Sequence, residues 1–381
     1  MRQSQQRLVA ADELLCHQTP ETFATVSHAD ISWTEKLWGS LFARNGSIQV
    51  DVGIGKYHNR NVIDMFAGIS RGKEQLTVRA SRQLSLDPER VGVGPLDYEV
   101  VKPLKQVRFV LRENHMLPIR FDLTVTGILP PFLEQKDAQR EPHGFRIQSD
   151  LLRYHQSSTV SGRIWIDGET IEVRDEEWFG FRDHSWGIRM DVGEPAPDVF
   201  KPQRLDANFL LTWSPMWFRR PDGSTYEVHH YLQWVDGEVT YFSGFENRPD
   251  GTQVPLHGIQ DELKYDPVNR RLLGGKLTFD CGWGQTRTLE IEPAGDTGFH
   301  LGTGLYFGFK GHRHGQWHGA QHIDGERYAD VSTPETAREV HQLRDCVIRC
   351  REGDAVGYGI FESMVIGEHP RYGLTRESSF L

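Results

Sequence analysis

Apolar residues alternate with polar or small ones along most of the chain, and this period of two is typical of β-strands with one buried face. In the segment 47–57, for example, Ile48, Val50, Val52 and Ile54 occupy alternate positions. Similar patterns predict strands in the first half at 61–72, 74–84, 98–111, 119–129, 158–166, 169–175 and around 175–189. In the second half they predict strands at 207–213, 225–235, 238–246, 274–284, 287–294, 301–310 and 355–369. Serial strands without interleaved helices favour an antiparallel sheet over a doubly wound one.

Three segments depart from this rhythm. Residues 10–15 predict one or two helical turns. Residues 32–42 predict either a short helix or a segment that plugs a barrel. A third segment, 332–348, predicts a helix with Thr333 as its N-cap and Pro334 in its first turn.

The length of 381 residues is more than one hydrophobic core usually serves, which predicts two domains. Residues 191–203 are rich in Pro, Asp and Gly and form the predicted linker. We therefore expect an all-β fold of two antiparallel β-barrels or curved sheets side by side, with few short helices. The predicted domains are residues 1–190 and 204–381.

Charge and composition exclude several classes of partner. The formal net charge is −10, with 43 basic and 53 acidic residues and no long basic run. Phosphate binding needs clustered Lys and Arg, so no nucleic-acid partner is expected. The N-terminus lacks the apolar core of a secretory signal, and no stretch approaches the ~18 apolar residues of a membrane span. The sequence thus predicts a cytoplasmic protein without stable membrane insertion, and it leaves a homodimer open.

The most distinctive motif runs from Arg182 to Gly187 and reads Arg-Asp-His-Ser-Trp-Gly. It resembles the D-H-x-W-G signature of the AttH and hydroxyneurosporene-synthase group, which includes carotenoid 1,2-hydratases and, more remotely, lipocalin-like cyclases. Further similarity lies in residues 60–68, 94–98 and 162–168. The resemblance implies two lipocalin-like domains, with His184 and Trp186 near the ligand cavity. In the hydratases an acid protonates an isolated alkene, and water captures the resulting cation.

Strand geometry places His184 and Trp186 on one face and Asp183 on the other. In the functional interpretation His184 acts as acid or base, while Trp186 lies against a cationic or polyene substrate. Asp183 and Arg189 then support the site. In the structural interpretation this segment is a clasp, with Asp183 paired to Arg182 or Arg189 and His184 hydrogen-bonded in the core. The residues leave both open.

Other candidates lie elsewhere in the pattern. Asp64 shares the parity of apolar neighbours in its strand, so it is either an acid with a raised pKa or the partner of Arg60 or Arg71. Tyr98 is predicted at a barrel mouth. The candidate ligand contacts in the second half, among ordinary aromatic packing, are His230, Tyr231 and Trp234.

Histidines recur at 312, 314, 318 and 322, and two or three imidazoles on one face could bind zinc or iron. An extended strand, however, would separate the outer pair by ~33 Å, too far to share one ion. No metal ligand is therefore assigned. There is also no P-loop, GxSxG or GxGxxG ahead of a helix, so the sequence predicts no cofactor.

These observations predict a cofactor-independent enzyme that acts on a hydrophobic small molecule, such as a terpenoid, steroid or aromatic compound. The predicted chemistry is acid–base hydration, dehydration, isomerisation or cyclisation, which makes it a lyase or an isomerase. The first alternative is a carrier that binds a hydrophobic ligand without converting it. A further alternative is a metal-dependent enzyme that uses the 312–322 histidines.

Overall fold

A computed structural model describes residues 8–17, 28–85, 87, 90–140, 145–194, 207–296, 298–340 and 343–380. Its strands form two antiparallel sheets that curl into half-barrels. The strands of the first sheet are β1 (Trp33–Ala43), β2 (Gln49–Tyr57), β3 (Val62–Arg71), β4 (Glu74–Gln83), β5 (Leu96–Lys102), β6 (Gln106–Leu111), β7 (Ile119–Gly127), β8 (Phe132–Leu133), β9 (Asp137–Arg140), β10 (Ile147–Ile166), β11 (Glu169–Val173), β12 (Trp178–Ile188) and β21 (Gln321–Tyr328). Their main order is β21-β4-β3-β2-β1-β12-β10-β7-β6-β5.

The second sheet comes from the rest of the chain. Its strands are β13 (Phe209–Arg219), β14 (Thr225–Val235), β15 (Glu238–Asn247), β16 (Gln253–Pro255), β17 (Gly258–Tyr265), β18 (Leu272–Gly282), β19 (Gln285–Pro293), β20 (Phe299–His300), β22 (Arg344–Glu352) and β23 (Ala355–Ile366). Their main order is β16-β15-β14-β13-β23-β22-β19-β18-β17. The predicted all-β class with two lipocalin-like sheets is confirmed.

The three largest hydrophobic cores among the described residues hold this arrangement together. One fills the first sheet and includes Leu41, Val50 and Val125, and a second fills the other sheet around Phe279 and Phe361. A third core, mostly aromatic, lies between the two sheets; it includes Trp38, Phe42, Phe179, Phe181, Trp213 and Trp217. Strands that face this third core are therefore buried on both sides.

Strand β1 contradicts the helix or plug predicted for residues 32–42. All of its residues are buried, and it pairs with β2 on one edge and β12 on the other. Leu37 faces the first core while Trp38 faces the core between the sheets. With an apolar environment on both faces the polar positions no longer alternate, so the period of two is lost.

The short helices fall partly where they were predicted. Residues Ala10–Glu13 form a 3₁₀ helix, which confirms the helical turn in that segment. The helix α1 spans Pro334–Val340, and the Thr333 hydroxyl accepts a hydrogen bond from the Thr336 amide, as expected of an N-cap. Residues 344–348 of the predicted helix belong instead to strand β22, which lies in the second sheet.

Two strand predictions are wrong in detail. Residues 98–111 form two strands, because Leu104 adopts a left-handed conformation with φ of 59° and makes a turn. Residues 301–310 form a 3₁₀ helix, Leu301–Gly304, followed by turns with positive φ at Leu305 and Phe307. Neither turn contains the usual Asn-Gly or Asp-Gly signal, whereas the predicted hairpin at Asp167-Gly168 is present.

Strand β21 belongs by sequence to the second half but pairs with β4 at the edge of the first sheet. Of the predicted linker, residues 195–203 lie outside the described residues. The division into domains 1–190 and 204–381 therefore stays a prediction. No helix among the described residues is long and apolar enough to cross a membrane.

Candidate functional site

A cleft opens between the two sheets, on the solvent side of the aromatic core that joins them. The space that water-sized molecules can occupy in it is about 120 Å³, and about 1000 Å³ when the open solvent at its mouth is counted. Ten of its twenty wall residues are aromatic or aliphatic: Trp38, Leu151, Met190, Phe209, Leu211, Trp213, Tyr231, Tyr306, Phe307 and Leu343. Eight others have acidic or basic side chains: Lys36, Asp137, Arg153, Asp183, Arg189, Asp191, His314 and Glu362.

Strand register explains how these charges reach one surface. Trp38 on β1 is opposite Asp183 on β12, and both project from the face that meets the second sheet. Within the second sheet, Glu362 on β23 is flanked by Trp213 on β13 and by Asp345 on β22. The cleft therefore receives an acid from each sheet.

Arg153 on β10 links these groups. Its guanidinium Nε lies 3.3 Å from a carboxylate oxygen of Asp183, and it packs over the rings of Trp213 and Tyr231. Arg189 donates instead to the Ser185 hydroxyl at 2.8 Å. The partner of Asp183 is thus Arg153 rather than the predicted Arg182 or Arg189.

Three cleft carboxyl groups, Glu362, Asp183 and Asp191, hold their protons more tightly than usual. Burial raises the pKa of Glu362 to about 7; Arg153 opposes this shift and the charge of Asp183 adds to it. Burial likewise raises the pKa of Asp183, although Arg153 and Arg189 oppose it. Near neutral pH a large fraction of Glu362 is a neutral carboxylic acid, which can donate a proton.

A basic group lies in the same wall. Burial and the nearby charge of Arg189 hold the pKa of Lys36 well below its usual value. Its amine lies 2.8 Å from Nε2 of His314 and 3.6 Å from the ring centre of Tyr306. The pKa of His314 is itself lowered to about 4, by burial and then by Lys36. An amine in this setting can accept a proton.

A carboxyl pair lies behind Glu362, at the contact between the sheets. Asp51 and Asp345 are fully buried, and burial followed by the negative charge of Glu362 raises the pKa of Asp345 well above normal. Burial also raises the pKa of Asp51, to about 7. Asp345, however, lowers the pKa of Glu362, so the raised pKa of Glu362 is due to burial and to the charge of Asp183.

Comparison with known protein families identifies the family to which this chain belongs. A family model described as a family of unknown function, DUF8625, matches residues 8–375. The chain belongs to DUF8625. No protein of curated function matches the chain in sequence.

Solved structures of other proteins resemble this DUF8625 chain in fold. A protein from Nitrosomonas europaea described as an AttH aligns with a TM-score of 0.52 and 12% identity, over 89% of this chain and 94% of that one. Kievitone hydratase from Nectria haematococca aligns at 0.48 and 13%, over 87% and 88%. CghA with Sch210972 aligns at 0.42 and 10%, over 88% of each chain. The first likeness confirms the AttH-like fold, and the weaker two carry no argument about function.

The structure places His184 and Trp186 on the face away from this cleft. His184 is fully buried inside the first sheet, where Nε2 lies 3.0 Å from a carboxylate oxygen of Glu35 and Nδ1 lies 3.3 Å from the Tyr154 hydroxyl. Trp186 stacks on His17 with ring centres 3.6 Å apart. The expected alternation along this strand is present, but the face that meets the cleft is the one with Asp183.

The remaining predicted site residues are dispersed. Asp64 accepts hydrogen bonds from the Tyr57 hydroxyl and the Gly315 amide, and not from Arg60 or Arg71. Tyr98 donates to buried Glu13 inside the first sheet. His230 and Trp234 face the core of the second sheet, as the alternation of β14 predicted for one of its faces. Of the predicted binding residues, the cleft receives Arg189 and Tyr231.

The histidines of 312–322 do not form an extended strand. Turns in this segment bring the rings of His312, His318 and His322 together, with distances of 4.6–6.4 Å between ring centres. The three rings line a small separate pocket together with Asp64. The separation predicted from a strand is therefore wrong. His314 leaves the group and reaches Lys36 in the cleft.

Sequence reasoning missed Glu362, Arg153 and Lys36. A signal existed for Glu362, which is a lone acid in the apolar run Ile360–Ile366. Lys36, which follows Glu35 directly, lies in the segment misread as a helix. A charged residue in the middle of a strand that is buried on both faces needs a partner or a function.

Proposed function

We propose that this protein is an acid–base enzyme that hydrates, dehydrates, isomerises or cyclises a hydrophobic small molecule in the cleft between its sheets. One observation carries the proposal: a cleft lined in part by aromatic rings contains a carboxylic acid with a pKa of about 7 and an amine with a depressed pKa. Pairs of groups whose environments shift their pKa values towards neutrality are typical of acid–base sites.

Glu362 is the proposed general acid. In a hydration it would give its proton to an alkene or enone carbon, and water would bond to the adjacent carbon as the positive charge develops there. Lys36 would take the proton that the added water loses. In an isomerisation or cyclisation the same two groups would move a proton without the addition of water.

The cleft wall supports a hydrophobic substrate. Trp38, Trp213, Tyr231 and Tyr306 offer ring faces that can pack on an unsaturated or polycyclic skeleton and stabilise positive charge. Arg153 and Arg189 can orient a single carbonyl or hydroxyl oxygen.

A mass-spectrometric screen in ¹⁸O-labelled water tests the proposal. The protein is incubated with a panel of terpenoid, steroid and aromatic alkenes and enones. We expect a product that has gained one labelled water, or an unlabelled isomer of the substrate. Retention of a compound without conversion would instead identify a carrier and contradict the enzymatic proposal, as would no binding by any member of the panel.

The pH dependence of turnover follows from Glu362. The acid must be protonated to act, and its pKa in the folded protein is about 7. We therefore expect kcat/KM to fall about tenfold per pH unit above pH 7. Rate measurements from pH 5.5 to 9 with the substrate found in the screen check this. A rate that rises with pH through this range would exclude Glu362 as the acid.

A further inference from the structure

A second polar cluster lies one layer behind the cleft wall, where the two sheets meet. Glu134 follows β8, His155 lies on β10, and His229 projects from β14 of the other sheet. All three are buried. His155 Nδ1 lies 2.8 Å from Oε1 of Glu134, and His229 Nε2 lies 3.4 Å from the same oxygen. One ligand atom from each residue fits within 4.8 Å of the other two.

His229 is the member that protein contacts do not explain. Its side chain is 0% exposed, yet neither ring nitrogen has a hydrogen-bond partner among the described residues. A neutral imidazole has one N–H donor and one lone pair, and leaving such groups unpaired in the interior costs about 1–3 kcal/mol each. The ring of His229 faces that of His155, with ring centres 4.2 Å apart. Nε2 of His229 therefore lies near the candidate ligand atoms of both His155 and Glu134.

The contacts around the cluster are those of an ordered ligand set. His155 Nε2 lies 2.6 Å from a carboxylate oxygen of Glu227, which also accepts a hydrogen bond from Asn247 at 2.7 Å. Metal-bound histidines usually donate their second ring N–H to a carboxylate in this way. Glu134 Oε1 also accepts from the indole N–H of Trp213 at 3.2 Å, which orients the carboxylate.

We propose that Glu134, His155 and His229 bind a divalent transition-metal ion, zinc in the first instance. Two imidazoles and one carboxylate are a common zinc ligand set. Ligand atoms about 2.1 Å from a tetrahedral ion lie roughly 3.4 Å apart, which is the separation found between His229 and Glu134. The shorter distance to His155 requires a movement of roughly half an ångström.

The ion would join the two halves of the fold. Two ligands come from the first sheet and one from the second, and Glu134 also lies 3.4 Å from Arg153 in the cleft wall. The adjacent residues Gln135 and Lys136 are exposed, so the path from solvent to Glu134 is short. Zinc would bind the folded chain, in which the three ligands lie together, and not the unfolded chain. Bound zinc should therefore raise the free energy of unfolding.

Two other groups compete for added metal and must be removed. One is His17, Glu35 and His184, and the other is the open group of His312, His318 and His322. The test therefore uses an untagged double variant, His17→Ala with His318→Ala, stripped of metal by a chelator. This parent is compared with the same chain carrying His229→Ala, and zinc chloride is the only ligand added.

We expect the parent to bind one zinc ion by calorimetry and metal analysis, with a rise in melting temperature. The His229→Ala chain should lose that ion and the rise. Zinc-edge anomalous scattering from crystals of the parent should place the ion between Glu134, His155 and His229. Equal zinc affinity in both chains, or a parent that binds none, would overturn the proposal. If His229→Ala fails to fold, the anomalous map decides alone, and a map with no peak at this site also overturns it. Turnover is not measured, so the outcome is independent of the proposed function.

Discussion

Replacing Glu362 with glutamine is expected to lower turnover by about two to four orders of magnitude, the usual contribution of a general acid. The amide keeps the shape of the side chain but has no acidic proton near neutral pH. It also removes a partly buried acid that lies close to Asp345, so the variant should fold. Single-turnover rates with the substrate from the labelled-water screen measure the effect.

Glu368→Gln is the matched control for this experiment. Glu368 is exposed, two residues after the end of β23, so the same change of charge should leave the rate within about twofold. Binding of the substrate should survive in Glu362→Gln, because the aromatic wall is unchanged. A Glu362→Gln protein with wild-type turnover would refute the assignment of the acid, while the cleft itself would remain a candidate site.

Replacing Glu13 with alanine is expected to destabilise the fold by about 3–5 kcal/mol, the cost of breaking a buried ion pair by removal of one partner. Glu13 is fully buried inside the first sheet and accepts hydrogen bonds of 2.6 and 2.8 Å from the guanidinium of Arg182. Tyr98 and Tyr154 donate to it as well. Truncation leaves the Arg182 charge in the interior without an anion. Equilibrium urea unfolding measures the loss of free energy.

The pH dependence of this loss has a definite sign. Burial raises the pKa of Glu13, but hydrogen bonds and charge from Arg182 outweigh it, so the pKa lies below normal. The stabilisation is therefore present above the unfolded-state pKa and disappears as the pH falls through the folded-state value. The gap between wild type and variant should narrow in acid. Glu176→Ala, at an exposed position, should change stability by less than about 0.5 kcal/mol. A similarly small effect of Glu13→Ala would mean that residues 8–17 do not stabilise the first sheet.

Much of the fold could be predicted because alternation along a strand depends only on which face is buried. Strands β2, β3 and β4 each have a clear pattern and were predicted within two residues of their ends. The pattern failed in β1, where both faces are buried, and at Leu104, where a turn uses a residue that rarely adopts positive φ. These failures arise from tertiary context, which overrides local preference.

The all-β class, the alternation within β12 and β14, and the resemblance to the AttH group through a motif centred on His184 could all be predicted from the order of residues alone. The sequence could not show which face of β12 meets a cleft, because both faces of that strand are buried: one in the first sheet and one against the second. That Asp183, Arg153, Lys36 and Glu362 share a wall follows only from the packing of the two sheets. These residues come from four strands in two sheets, and the pKa shifts that make them chemically useful arise from burial and charges that exist only once those sheets are packed together.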